Sequence, residues 1–135
     1  MVLFRPGGHR LLRTILFISL GAVVGANARY AVAVVAAERF GPTFPYGTFA
    51  INVSGSFLVA LFLTYLSDRL VADPAWRLVL ATGFCGSYTT FSTYTVESVT
   101  LLRQGSYALA ALYVLGSAAV GLLAIIAGTV AARLI

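Results

Sequence analysis

Charged side chains are scarce in this 135-residue chain, at 10% of all residues, and lysine is absent. A soluble domain carries about 25% charged residues, so an ordinary water-facing surface cannot be assembled here. Cys85 is the only cysteine, which excludes a disulfide within the chain and leaves a small packing residue inside an apolar segment. The only histidine, His9, lies in the stretch RPGGHR with no cysteine cluster beside it, so no transition-metal site is indicated. Ser54-Gly55-Ser56 has the outline of a nucleophile turn, but a serine needs a base within hydrogen-bond reach; lysine is missing and His9 is remote in sequence. Enzyme chemistry is not expected. The nine basic residues are all arginine and scatter toward segment ends, with no basic stripe interleaved with aromatics, which argues against nucleic acid.

What is present is apolar sequence: 60% of the residues are hydrophobic and the mean hydropathy is +0.95. Four segments, at about residues 11–37, 46–66, 75–102 and 106–132, are each long enough to cross about 30 Å of hydrocarbon. The breaks between them are GPTFP with Pro42 and Pro45, the polar SDRLVADP, and Arg103 with the residues after it. The expectation is an all-α membrane protein, one four-span domain with short connections and antiparallel neighbours. Trp76, Tyr46 and Tyr65 fall where interfacial anchors are expected, and the pairs Gly21/Gly25 and Ser117/Gly121 are spaced to let helices approach closely. RPGGHRLLRT followed by ILFISLGAVVGA also has the outline of a signal peptide with a cleavage-like Ala26-Asn27-Ala28. The apolar run resumes after Arg29 as YAVAVVAA, so cleavage would discard half a crossing, and a retained first span is expected. Arg5, Arg10, Arg13, Arg69, Arg77 and Arg133 then share one side against Arg39 and Arg103 on the other, which favours cytoplasmic termini.

Within this apolar frame the run GFCGSYTTFSTYTVE, Gly83 to Glu97, is dense in glycine and hydroxyl groups. Each unsatisfied polar group in hydrocarbon costs several kcal/mol, so the run should face protein or a water-accessible path. Gly83 and Gly86 weaken a helix and the following hydroxyls can serve freed carbonyls; a break that offers carbonyls to cations is one reading, an intact helix bent by hydroxyl back-bonding the other. Phe91 and Tyr94, three apart, would share a helix face, with electropositive ring edges turned to a common line. Asn52 in the second span has Thr48 and Ser56 one turn to either side; its amide can donate to an anion or make an interhelical hydrogen bond. Arg29 and Glu97 are the ionisable residues nearest membrane depth, facing a cavity or one another.

GAVVGANARY (Gly21 to Tyr30), TFAINVSGSF (Thr48 to Phe57) and GFCGSYTTFSTYTVE, in that order and on those spans, resemble the CrcB/Fluc family of fluoride channels. The TTFST core is the most specific of these motifs, and the likeness extends over all four spans. The resemblance implies an antiparallel, dual-topology homodimer in the cell (inner) membrane, with a broken third helix, two fluoride pathways and a structural sodium ion at the dimer centre, exporting fluoride passively to relieve its toxicity. It implies that Asn52 is the pore amide and that Phe91 and Tyr94 are the aromatic pair. Ser92 and Thr93 would lie beside the anion path, Tyr113 and Ser117 would line it, and Arg29 would sit at the vestibule. The carbonyls of Gly86 and Thr89 would hold the sodium. Two departures stand out: the family usually has phenylalanine where this chain has Tyr94, and the arginines are less evenly divided than dual topology expects. The competing class is a small four-span proton-coupled exporter of the multidrug type; such proteins rely on an acidic residue within the first span, where this chain has none before Glu38.

Overall fold

The computed structural model describes residues 8–68 and 73–135; Arg5 and Arg69, counted above toward the charge asymmetry, lie outside the described residues. The described residues are almost entirely helical. The first helix, α1 (Gly8–Phe40), and the second, α2 (Tyr46–Asp68), bracket the GPTFP turn. Gly41 takes φ 70°, the left-handed conformation that closes a helix without a Cβ penalty, and its amide returns to the Ala37 carbonyl at 3.0 Å. The third apolar segment is built in pieces. A π-helical stretch, α3 (Arg77–Cys85), runs into a single α-helical turn, Gly86–Tyr88; Thr89 and Thr90 are extended, and helix α4 (Phe91–Arg103) follows. The last helix is α5 (Tyr107–Leu134). Between α4 and α5, Gly105 at φ 74° forms a Schellman closure, with Gly105 N–H to Leu102 O at 3.1 Å and Ser106 N–H to Leu101 O at 3.0 Å. Among the described residues three helices, α1, α2 and α5, are long and apolar enough to cross a membrane.

Two helix pairs make up the body: α1 against α3, and α2 against α5. Glycine permits both contacts at backbone distance. A Cβ on Gly21 would collide with the Val79 carbonyl and the Phe84 amide, one on Gly25 with Ser87 Oγ and the Phe84 carbonyl, and one on Gly83 with the Ile18 carbonyl. On the other pair, a Cβ on Gly128 would strike the Phe57 carbonyl, whereas Gly121 meets only Ser56 Oγ at 3.8 Å. Gly83 is therefore a packing residue, and Gly86 is helical at φ −64°, ψ −30°. The sequence marked these two glycines as weak points and the stretch Gly86 to Thr89 as the break; the chain leaves the helix at the far end of that stretch, at Thr89 and Thr90.

The charged groups collect at the helix ends. Asp73 Oδ1 accepts from the Ala75 amide at 2.9 Å at the start of the third segment, and Arg77 donates to Ser67. Arg133 pairs with Asp68 at 3.7 Å and Arg13 with Asp73 at 4.0 Å, which sets the start of α1 beside Asp73 and the end of α5 beside the last residue of α2. Much of the outward surface is leucine, valine and isoleucine, as expected of helices solvated by lipid.

Candidate functional site

The site is organised by the two extended threonines. Thr89 has φ −75°, ψ 158° and Thr90 has φ −148°, ψ 116°. In an unbroken helix the Thr90 amide would bond to the Gly86 carbonyl and the Thr93 amide to the Thr89 carbonyl. Both amides are turned elsewhere. Thr90 N–H donates to Asn52 Oδ1 at 2.8 Å, and Thr93 N–H donates to Thr90 Oγ1 at 3.2 Å, making Thr90 the N-cap of α4. Asn52 Nδ2 completes a two-bond clamp by donating to the Thr90 carbonyl at 3.0 Å. One carboxamide on α2 thus satisfies both backbone groups of a residue that has left helical geometry, and its second N–H proton remains for another acceptor.

The redirected amides release the Gly86 and Thr89 carbonyls from their helical partners. Both residues line a cavity of about 360 Å³ together with Asn52, Thr90, Phe91 and Cys85. Neutral carbonyl oxygens are hard donors of the type that alkali and alkaline-earth cations take. Two such carbonyls from one chain are of the right donor type for a hard cation but fewer than one requires.

From Phe91 a row of rings leads away from this cavity. Phe91 and Tyr94 have centroids 5.8 Å apart, Tyr94 and Tyr113 5.2 Å, and Tyr113 and Phe44 5.4 Å at an 84° interplanar angle. Phe44 borders a second cavity of about 280 Å³, which Thr48, Glu97 and Gln104 also line. Glu97 is held by two hydroxyls: Thr48 Oγ1 donates to Oε1 at 3.0 Å and Tyr113 Oη to Oε2 at 2.7 Å. Tyr113 is fully buried. Tyr94 directs its hydroxyl to the Val114 carbonyl at 3.4 Å, so the oxygen that distinguishes it from phenylalanine is drawn toward α5. Ser117, one turn beyond Tyr113, has a buried hydroxyl oxygen with no partner among the described residues.

Asn52, Gly86, Thr89 and Phe91 therefore meet at one cavity, and Tyr94 and Tyr113 continue from it. Ser92 and Thr93 join a hydroxyl cluster on Thr90 Oγ1, at 3.4 Å and 3.0 Å, and both are exposed. Arg29 is half-buried on α1, borders neither cavity and makes no ion pair with Glu97 among the described residues. Its offered partnership with Glu97 gives way to Thr48 and Tyr113, because two short hydroxyl donors already occupy the carboxylate. Ser54 gives no support to nucleophile chemistry: its hydroxyl bonds the Ala50 carbonyl at 2.6 Å and contacts the Tyr88 hydroxyl at 2.9 Å. The sequence counted Thr90 among the hydroxyls of the third span without identifying it as an N-cap, and it did not single out Phe44. The signal for Thr90 was its β-branched, hydroxyl-bearing character directly before a helix, the composition of an N-cap.

A family model described as "CrcB-like protein, Camphor Resistance (CrcB)" matches residues 16–129. The chain belongs to the CrcB-like family. Among its relatives, a protein of Acidobacterium capsulatum named fluoride-specific ion channel FluC is 50% identical over 115 residues, covering 85% of this chain and 92% of the relative. Proteins of the same name from Koribacter versatilis and Chloroflexus aurantiacus are 49% identical over 98 residues and 47% identical over 117 residues. These cover 73% and 87% of this chain, and 78% and 93% of the respective relatives. The CrcB-like match spans the clamp, the ring row and both cavities. With α1, α2 and α5 each able to cross a bilayer, this CrcB-like chain is a multi-pass membrane protein.

Proposed function

We propose that the chain is a fluoride-selective channel that lets fluoride leave the cytoplasm down its gradient. The observation that carries this reading is the Asn52–Thr90 clamp, which holds open a helix break at the head of a row of aromatic rings. Fluoride is small and strongly hydrated, so a pathway must replace its water with donors. The unused Asn52 N–H, the hydroxyls of Ser92 and Thr93, the orphaned Ser117 hydroxyl and the electropositive edges of Phe91 and Tyr94 are such donors. None of them carries a full charge, so the anion is stabilised without being trapped. Tyr113 lines the path, with its hydroxyl committed to Glu97. Arg29 would attract anions to the vestibule by charge alone.

In this reading α3, the Gly86–Tyr88 turn and α4 together form one broken crossing, giving a single domain of four spans. The functional unit is an antiparallel homodimer. Phe91 is 78% exposed on one protomer, and Ser92, Thr93 and Thr95 beside it are exposed as well. Hydroxyls on such a face are costly against lipid tails, and a second copy would cover them. A second copy would also double the carbonyls available to a cation. The Gly86 and Thr89 carbonyls would hold a sodium ion between the two copies; bound there, it supplies fixed positive charge that stiffens the break.

Phe91→Ile tests the pathway. A ring-edge contact worth about 1.4 kcal/mol in a dry path corresponds to roughly tenfold in rate. Fluoride efflux from proteoliposomes bearing the variant is expected to fall at least about tenfold, with the elution profile in detergent unchanged. Efflux equal to that of the native chain would remove the ring row from the pathway.

A further inference from the structure

A second region of the molecule, away from the clamp, carries a different ligand chemistry. Between the first turns of α1 and the start of the third segment is a cavity of about 300 Å³ bordered by Arg10, Arg13, Thr14, Phe17, Asp73 and Leu78. Arg13 and Phe17 also border an apolar groove of about 400 Å³ along the outer face of α1, continued by Leu16, Leu20 and Val23. One ligand could therefore place a polar end against the arginines and an apolar end along the leucines.

The charge at the polar end is unbalanced. Arg10 has no ion-pair partner among the described residues, and the Arg13–Asp73 contact is 4.0 Å long between side chains that are 67% and 54% exposed. Such exposed pairs contribute little. Asp73 is in part committed elsewhere, since its other oxygen accepts from the Ala75 amide. The Arg13 guanidinium lies over the Phe17 ring at 5.3 Å, which orients it while leaving N–H donors free. Two arginines against one engaged carboxylate complement an anion, and a guanidinium matches phosphate in geometry.

The apolar end has the length of a lipid chain. Arg13 to Val23 spans ten helical residues, about 15 Å, which is half of the roughly 30 Å hydrocarbon core. Arg13 also stands where the sequence passes from RPGGHRLLR to the apolar ILFISL, the level at which headgroup phosphates meet acyl chains. We infer that Arg10, Arg13 and the α1 groove form a binding site for one anionic phospholipid, its phosphate on the two arginines and one acyl chain along Leu16, Leu20 and Val23.

Native mass spectrometry of the full-length protein, titrated with phosphatidylglycerol or phosphatidylcholine of identical chains, tests this. Each arginine near the headgroups is worth on the order of fivefold, so phosphatidylglycerol should be retained about 30-fold better. In Arg10→Gln/Arg13→Gln the preference should fall close to one, whereas Arg39→Gln/Arg103→Gln, at the other helix ends, should keep it. Leu20→Trp, which fills the groove with both arginines in place, should lower phosphatidylglycerol retention several-fold, and it serves if the double glutamine variant does not purify. An undiminished preference without Arg10 and Arg13, an equal loss in the Arg39/Arg103 variant, or full retention in Leu20→Trp would overturn the site. Displacement of the lipid by millimolar glycerol phosphate would also overturn it, because the arginines would then bind a bare anion.

Discussion

Asn52→Ala is expected to lower fluoride efflux from proteoliposomes by at least about 100-fold, equivalent to roughly 2.7 kcal/mol on the barrier. The substitution removes both hydrogen bonds of the clamp, Asn52 Nδ2 to Thr90 O and Thr90 N–H to Asn52 Oδ1. Leaving a part-buried backbone donor and acceptor without partners costs about 1–3 kcal/mol each. The nearest relief for the Thr90 amide is to return to the Gly86 carbonyl, closing the helix through the break. Asn52→Asp keeps only the accepting half of the clamp and removes the donor. The carboxylate still accepts from the Thr90 amide but has no proton to give to an anion, and it adds negative charge to the path. It should therefore retain more thermal stability than the alanine variant and still fail to conduct. Native-level efflux in either variant, read with a fluoride-selective electrode, would contradict the assignment of Asn52.

Gly21→Ala is expected to destabilise the protein by about 3 kcal/mol, at the upper end of what overpacking costs. The added Cβ would overlap the Val79 carbonyl and the Phe84 amide, which are backbone atoms that cannot rotate away, so α1 and α3 must separate. Because Ser87 Oγ donates across the same contact to the Ala22 carbonyl at 3.1 Å, separation also strains the turn that leads into the break. A loss of the monodisperse peak after mild heating in detergent would register the effect. Gly121→Ala is the comparison. Its Cβ would meet only Ser56 Oγ at ordinary van der Waals distance, and alanine favours the helix by about 1 kcal/mol, so this variant should match or exceed the native chain in stability.

These glycines show how far the sequence can be read. Gly21 and Gly25 are visible as a small-residue pair one turn apart, and they do carry the α1–α3 contact. Gly121 was paired with Ser117 on the same grounds, yet the tight approach of α5 to α2 is at Gly128, opposite the Phe57 carbonyl. Spacing reports that a helix can be approached closely; it does not report which turn the partner reaches. The same limit applies to the break. Gly83 and Gly86 have the weaker helix propensity, but the chain leaves the helix at Thr89 and Thr90, because Asn52, 38 residues earlier, repays the Thr90 backbone groups with an amide. A propensity argument sees only local cost, and here a distant side chain reverses it.

Glu97 carries the same lesson in electrostatic form. Its depth in an apolar segment predicted a partner, and Arg29 was the one cation at comparable depth. The structure supplies Thr48 and Tyr113, neutral donors from α2 and α5, because the three helices bring those hydroxyls within 3.0 Å and 2.7 Å of the carboxylate. The π-helical winding of Arg77–Cys85 was equally illegible, since nine residues hold too few turns for hydropathy to separate one period from another. The neighbourhood was legible: Asn52, Gly86 and Phe91 were marked by their residue types and Thr89 by the family resemblance, and all four line one cavity.

The central claim, that this chain conducts fluoride passively, is tested most directly by efflux from liposomes reconstituted with the purified native protein. Vesicles loaded with potassium fluoride or potassium chloride would be opened to potassium with valinomycin, with and without an imposed pH gradient. The account predicts rapid fluoride release that is the same in both pH conditions, with chloride retained. Fluoride release that occurs only with a pH gradient, or chloride release as fast as that of fluoride, would contradict it.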